Sequence, residues 1–210
     1  MRYLRQQDVI PAPRLQTTHA LVVGVGAIGR QVALQLTSIG LPRLTLIDFD
    51  TVEEHNLPVQ GFKESQLGRA KVDAVAEDCR ELNSQLQVEP INSKYIPRDH
   101  KNIANVVFSC VDSILARKLI FETAKHTLFI DGRMSAEEMR ILTAFDDDSR
   151  ASYPQTLEGE FREAPCTAKS TIYCSNVAAG MMLQQFTKWL RGMILDRDIR
   201  FSMIGSSIFL

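Results

Sequence analysis

Over the first 145 residues, short apolar runs alternate with stretches whose apolar positions recur at helical spacing. Residues 19–24, 43–48, 87–92, 105–110 and 128–131 read as strands; helices are predicted through Leu36, over about 64–82 and over about 113–125. Strand, helix and strand at this spacing predict an α/β fold: a Rossmann-like, doubly wound, mostly parallel sheet covered on both faces. Further on, 139–145 reads as a strand and 171–190 as a helix, with Ile172, Val177, Met181, Phe186 and Leu190 at helical intervals. A last strand is predicted over 199–204. Between them, 146–169 is polar and aperiodic, broken by Pro154, Gly159 and Pro165, and reads as a long crossover loop. With no repeat and no linker composition, 1–210 is expected to be one domain.

Composition narrows the function classes. At 210 residues and 45% hydrophobic, the chain buries a full core, which excludes disorder. Lys plus Arg number 24 against 25 Asp plus Glu, with no basic cluster, so neither nucleic acid nor a membrane surface is expected as a partner. The apolar runs are too short to span a bilayer, and a soluble cytoplasmic protein is expected. Cys79, Cys110, Cys166 and Cys174 form no Cys-x-x-Cys pair and lie beside no His at ligand spacing, so free thiols and no zinc are expected. His19, His55, His100 and His126 show no paired arrangement and read as structural.

The sharpest local signal is Leu21-Val22-Val23-Gly24-Val25-Gly26-Ala27-Ile28-Gly29, a buried strand entering G-x-G-x-x-G and then a helix, with Asp48 ending the next strand. Gly24 permits the tight turn, Gly26 lets phosphate approach backbone N–H groups at the positive helix end, and Gly29 lets the helix pack on the strand. Asp48 is placed to accept ribose hydroxyls. The turn, including Ala27 and Ile28, fits NAD-type dehydrogenases and ATP-using enzymes alike.

The residues that follow separate those readings. Asp48-Phe49-Asp50-Thr51-Val52 leads to Asn56-Leu57-Pro58-Val59-Gln60, then Gly68-Arg69-Ala70-Lys71, and later Cys110-Val111-Asp112 with Arg117. This resembles the ThiF/MoeB/HesA adenylyltransferases and the adenylation domains of ubiquitin-activating enzymes, whose pattern is D-x-D-x-V-x-x-x-N-L-x-x-Q, then G-x-x-K, then C-x-D. Arg2-Tyr3-Leu4-Arg5-Gln6, Pro165-Cys166-Thr167 and Lys188-Trp189-Leu190-Arg191-Gly192 extend the resemblance over nearly the whole chain.

The resemblance implies ATP-dependent adenylation of the carboxy-terminal glycine of a small ubiquitin-like or sulfur-carrier protein, in a homodimer, with a conjugating enzyme as a further partner. Attack on the α-phosphorus needs cations against triphosphate charge and a carboxylate for Mg2+. Lys71 and Arg5 are expected to supply the cations, Arg5 by reaching a partner protomer's site, and Asp112 to hold the metal. Asp50 and Asn56 belong to the nucleotide site, Asn56 contacting phosphate or orienting the metal, and Gln60 shapes the pocket. Cys166 is the expected nucleophile for a transfer step, whereas Cys79 and Cys110 read as core thiols. Each assignment has a plainer competitor: Lys71 and Arg69 are by default solvated helix charges, Asp112 a helix N-cap, Arg117 a surface residue, Cys166 a spare thiol. Val59 stands where many family members carry a phosphate-binding arginine, a loss that Arg69 is placed to offset. That departure motivates the alternative of a non-catalytic scaffold half of an activating enzyme. An NAD-dependent oxidoreductase, which the glycine turn alone allows, lacks a His or Tyr-Lys constellation.

Overall fold

The computed structural model describes residues 2–158 and 171–210. Eight strands, β1 (His19–Val23), β2 (Arg43–Asp48), β3 (Gln87–Asn92), β4 (Val106–Ser109), β5 (Leu128–Ser135), β6 (Glu138–Ala144), β7 (Asp198–Ser202) and β8 (Ser207–Phe209), form one sheet in the order β3-β2-β1-β4-β5-β6-β7-β8. The first five strands pair in parallel and the last three join antiparallel. Among the described residues the helices are α1 (Ala12–Gln16), α2 (Ala27–Ser38), α3 (Leu57–Gln60), α4 (Lys71–Leu82), α5 (Pro97–His100), α6 (Ile114–Thr123), α7 (Asp147–Ser152) and α8 (Ile172–Arg191). None is long and apolar enough to cross a membrane.

Alternation along the strands splits the core in two. Ala20, Val22, Phe108 and Ile130 pack under α2, α4 and α8, while Leu21, Val23, Val107 and Phe129 face Ile120 of α6 and Tyr153. The strand order reverses between β1 and β4, the connection after β1 running to β2 on one side and that after β4 to β5 on the other. The carboxyl ends of β1 and β4 therefore flank a topological switch point, where open α/β sheets collect ligands.

Several predicted boundaries shift for local reasons. The helix expected from about residue 64 is a 3-10 turn at Glu64–Gln66 followed by α4, because Gly68 takes a left-handed conformation (φ +78°) that interrupts helical propagation. Much of the loop expected from residue 146 is folded: Asp146 accepts the Ser149 amide and Ser149 Oγ accepts the Asp146 amide, a capping box that starts α7, and a 3-10 turn at Tyr153–Leu157 follows. The strand expected over 128–131 runs on to Ser135 because the next residues pair antiparallel with β6. The predicted final strand is β7, and β8, beyond the predicted range, adds an edge strand.

Candidate active site

The glycine turn is close-packed. A Cβ on Gly24 (φ +83°) would lie 2.8 Å from the Cys110 carbonyl oxygen, and one on Gly29 would overlap the Gly24 carbonyl oxygen, so both positions exclude larger residues. Gly26 differs: its added Cβ would meet only the Gln60 side chain, at 3.6 Å. Gly26 is also the N-cap of α2 and offers no side-chain cap, so the first-turn N–H groups of Ala27 and Ile28 gain no partner from that side chain.

Asp48 closes the turn from the neighbouring strand. Its Oδ2 accepts the Val25 amide at 2.7 Å and its Oδ1 the Asp50 amide at 2.9 Å. Burial pushes the carboxyl above its ordinary value, and the two amides pull it back. Asp48 thus fastens the glycine turn to the Asp48–Asp50 corner, a second duty beside the expected one towards ribose; each oxygen keeps a second acceptor lone pair.

The chain then clamps onto itself: Val52 N–H donates to the Arg69 carbonyl, Gly68 N–H to the Val52 carbonyl and Lys71 N–H to the Asp50 carbonyl. This clamp delivers Lys71 to the corner at the start of α4. Only 6% exposed, Lys71 places Nζ 3.0 Å from Asp50 Oδ2. The solvated helix charge that its spacing also allowed is thereby excluded for Lys71. It holds for Arg69, whose guanidinium pairs with Glu77 on the exposed face of α4 and does not offset Val59.

Asn56 is buried, and its Oδ1 accepts the Glu53 amide at 2.9 Å, capping a 3-10 turn at the start of the segment that leads into α3. Arg30 and Gln31 of α2 both donate to the Gln60 carbonyl. Gln60 Oε1, buried beside Gly26, has no hydrogen-bond partner among the described residues. A buried amide oxygen left so takes its donor from water or from a bound group, which is compatible with a ligand over the turn.

Asp112 is exposed at the carboxyl end of β4, across the switch point from the glycine turn. It is not the N-cap of α6; Ser113 is, its Oγ accepting the Ala116 amide at 3.3 Å. Arg117 is neither surface residue nor exposed ligand. Only 5% exposed, it donates to Asp131 and to the Gly132 carbonyl. Asp131, fully buried, also accepts from Arg133 Nε (2.8 Å) and Tyr153 Oη (3.0 Å), and Arg133 reaches Thr156 with both terminal nitrogens. Sequence reading missed this network; buried charge at 131 and 133, inside an apolar strand, was the available signal.

Arg5 does not join the others. Its 3-10 turn, Leu4–Gln6, is held at the far end of α2, where Gln6 donates to the Ile39 carbonyl and Tyr3 packs on Gly40. The twelve residues of α2 put about 18 Å between that anchor and the glycine turn. Cys166 lies outside the described residues. Of the other thiols, burial pushes Cys79 up to about 11 and Cys110 higher, and Cys174 is buried in the first turn of α8. Among the described residues no group of three or more His, Cys, Asp or Glu could hold a metal ion.

Fold and site together define a nucleotide-binding α/β protein whose cradle lies at the switch point of a doubly wound sheet. The model of the ThiF family matches residues 7–203, and the chain belongs to that family. The Aspergillus clavatus "adenylyltransferase and sulfurtransferase uba4" is 36% identical over 115 residues, 53% of this chain and 23% of that protein. The Zea mays "adenylyltransferase and sulfurtransferase MOCS3-1" is 34% identical, over 51% and 24%. The chain thus spans about a quarter of the length of these curated relatives. Among solved structures, E. coli MccB with ATP aligns over 100% of this chain and 70% of that one (TM-score 0.78, 16% identity) and PaaA over 99% and 71% (0.81, 19%), likenesses of fold.

Proposed function

We propose that the protein is an adenylyltransferase that uses ATP to activate the carboxy-terminal glycine of a small ubiquitin-like or sulfur-carrier protein. The carrying observation is the convergence at one switch point of an uncapped glycine turn, the Asp48 fastening, the buried Lys71–Asp50 pair and the Asp112 turn. The names of the two curated relatives add weight, since both include adenylyltransferase and sulfurtransferase.

In this reading the triphosphate enters over Gly26, with the α2 amides and Lys71 balancing its charge. The carrier carboxylate attacks the α-phosphorus; its oxygen forms the new P–O bond as the bond to pyrophosphate breaks. Asp112, exposed at the carboxyl end of β4, is the residue we assign to Mg2+. Magnesium is usually held by one or two carboxylates together with substrate phosphates, so Asp112 with the triphosphate would suffice. When bound, the ion neutralises phosphate charge. Cys166 then attacks the acyl carbonyl as thiolate and expels AMP, leaving a thioester; the burial of Cys79 and Cys174 and the raised pKa of Cys110 favour it over them.

The homodimer rests on the family resemblance, and the position of Arg5, in a turn held at the far end of α2 away from this chain's own cradle, agrees with service in a second copy's site. A conjugating enzyme is the further partner if the acyl group is passed on. The scaffold reading keeps one observation in its favour: Val59 leaves α3 without its cation and Arg69 is turned to Glu77. Intact mass spectrometry after incubation with ATP·Mg and candidate carriers decides between them. A carrier adenylate that is lost in Asp112→Ala supports the enzyme, and a reductant-sensitive protein–carrier adduct lost in Cys166→Ala adds the transfer step. No adenylate with any carrier leaves the scaffold.

A further inference from the structure

We propose that the cleft at the amino ends of β1, β2, β4 and β5 is a second ligand site, separate from the nucleotide cradle, that binds a small phosphorylated anion carrying more than one negative charge. His19 opens β1, Arg43 opens β2 beside it, and Asn105 and Thr127 stand one position before β4 and β5. With Lys125 and His126 they line a cavity of about 620 Å³, a size that suits a small ligand. The five residues of β1 join this cleft to the glycine turn and put about 16 Å between the two.

Charge supplies the ligand chemistry. The chain carries 25 acids against 24 Lys and Arg, yet no acid lines this cleft. Arg43 and Lys125 are exposed, and among the described residues neither side chain has a hydrogen-bond or ion-pair partner. Arg150 adds a third cation behind the wall, fixed by His126 Nδ1 at 3.0 Å and by the His126 and Thr127 carbonyls. Burial lowers the pKa of both histidines and the adjacent guanidinium lowers each further, Arg43 at His19 and Arg150 at His126; Glu89 opposes the shift at His19. Neutral donors complete the lining. Asn105 Oδ1 accepts the His19 amide at 2.9 Å, which leaves Nδ2 as the spare donor, and His19 Nε2 meets Thr45 Oγ1 at 2.9 Å, which leaves Nδ1. Two unpaired cations, a fixed third and spare donors around one concave space match a multiply charged anion, and the concavity favours a small molecule over an extended chain. Because the cations come from positions 43, 125 and 150, no run along the chain reveals the cluster.

The test titrates inorganic pyrophosphate into the full chain labelled at histidine and follows the His19 imidazole by NMR, its resonance identified as the one that His19→Gln deletes. Pyrophosphate should shift that resonance and saturate below about 1 mM at low salt, whereas sodium chloride at matched ionic strength should not. Arg43→Gln with Lys125→Gln removes two exposed charges, so the double variant should melt near the wild type while binding at least about ten-fold more weakly. Lys71→Met, which strips the cradle of its cation, should leave the His19 response unchanged. No shift at about 10 mM pyrophosphate, or one that sodium chloride reproduces, overturns the site. So does a response that survives intact in the double variant, or one that Lys71→Met abolishes. The proposal stands apart from the adenylation reading: failure here leaves that reading untouched, and a chain that forms no adenylate should still show the His19 shift.

Discussion

Lys71 Nζ lies 3.0 Å from Asp50 Oδ2, and the ammonium is buried while the carboxylate remains about half exposed. The pairing is a product of the clamp between segments 50–52 and 68–71, which seats the first residue of α4 beside the corner after β2. A cation held in that way loses little freedom when phosphate arrives, and its preorganised charge is the kind that stabilises a transferring phosphoryl group.

Lys71→Met retains the buried stem and removes the charge. Pyrophosphate exchange should fall about 10²–10³-fold with the melting temperature nearly unchanged. Exchange at the wild-type rate would remove Lys71 from the chemistry.

The glycines should separate by role. Gly29→Ala forces a Cβ into the Gly24 carbonyl and should prevent normal folding, whereas Gly26→Ala meets only the flexible Gln60 side chain and should fold. Its added methyl occupies the approach to the α2 amides, so nucleotide affinity should fall while circular dichroism stays native. The reverse order of damage would contradict the packing described for the turn.

Asp131 tests the buried network. Asp131→Ala leaves Arg117 and Arg133 without their shared carboxylate in a dry site and should cost about 3–5 kcal/mol by urea denaturation. A loss below about 1 kcal/mol would mean that water or another acceptor replaces it.

His126 gives the chain a definite acid response. Burial, aided by Arg150 beside its ring, lowers its pKa to about 4, while the unfolded chain protonates it near 6.5. Between those values the unfolded state binds the extra proton. Stability from the neutral ring is thus full above about 6.5 and lost as pH falls towards 4, by roughly 3 kcal/mol in total. Denaturation midpoints across that window should slope in the wild type and flatten in His126→Gln.

The parallel half of the sheet was legible because buried strands and amphipathic helices alternate there, and the glycine turn because its spacing is imposed by steric contacts within a few residues. The Lys71 pairing could be expected only as a charge near a phosphate; its actual partner, Asp50, depends on a clamp that no periodicity encodes. Arg117 shows the limit most clearly. Its carboxylate lies 14 positions later on another element, so helical spacing alone could not tell a surface arginine from a buried one. The capping box that begins α7 was readable as Asp146-x-x-Ser149 but was hidden by the surrounding polar composition.

Pyrophosphate exchange into ATP tests the central claim most directly. Purified protein, ATP·Mg, labelled pyrophosphate and a panel of small ubiquitin-like and sulfur-carrier proteins ending in glycine should give exchange with at least one carrier. That exchange should vanish when the carrier's terminal glycine is deleted and when Asp112→Ala replaces the wild type. Exchange with no carrier, or exchange indifferent to the terminal glycine, would contradict the account.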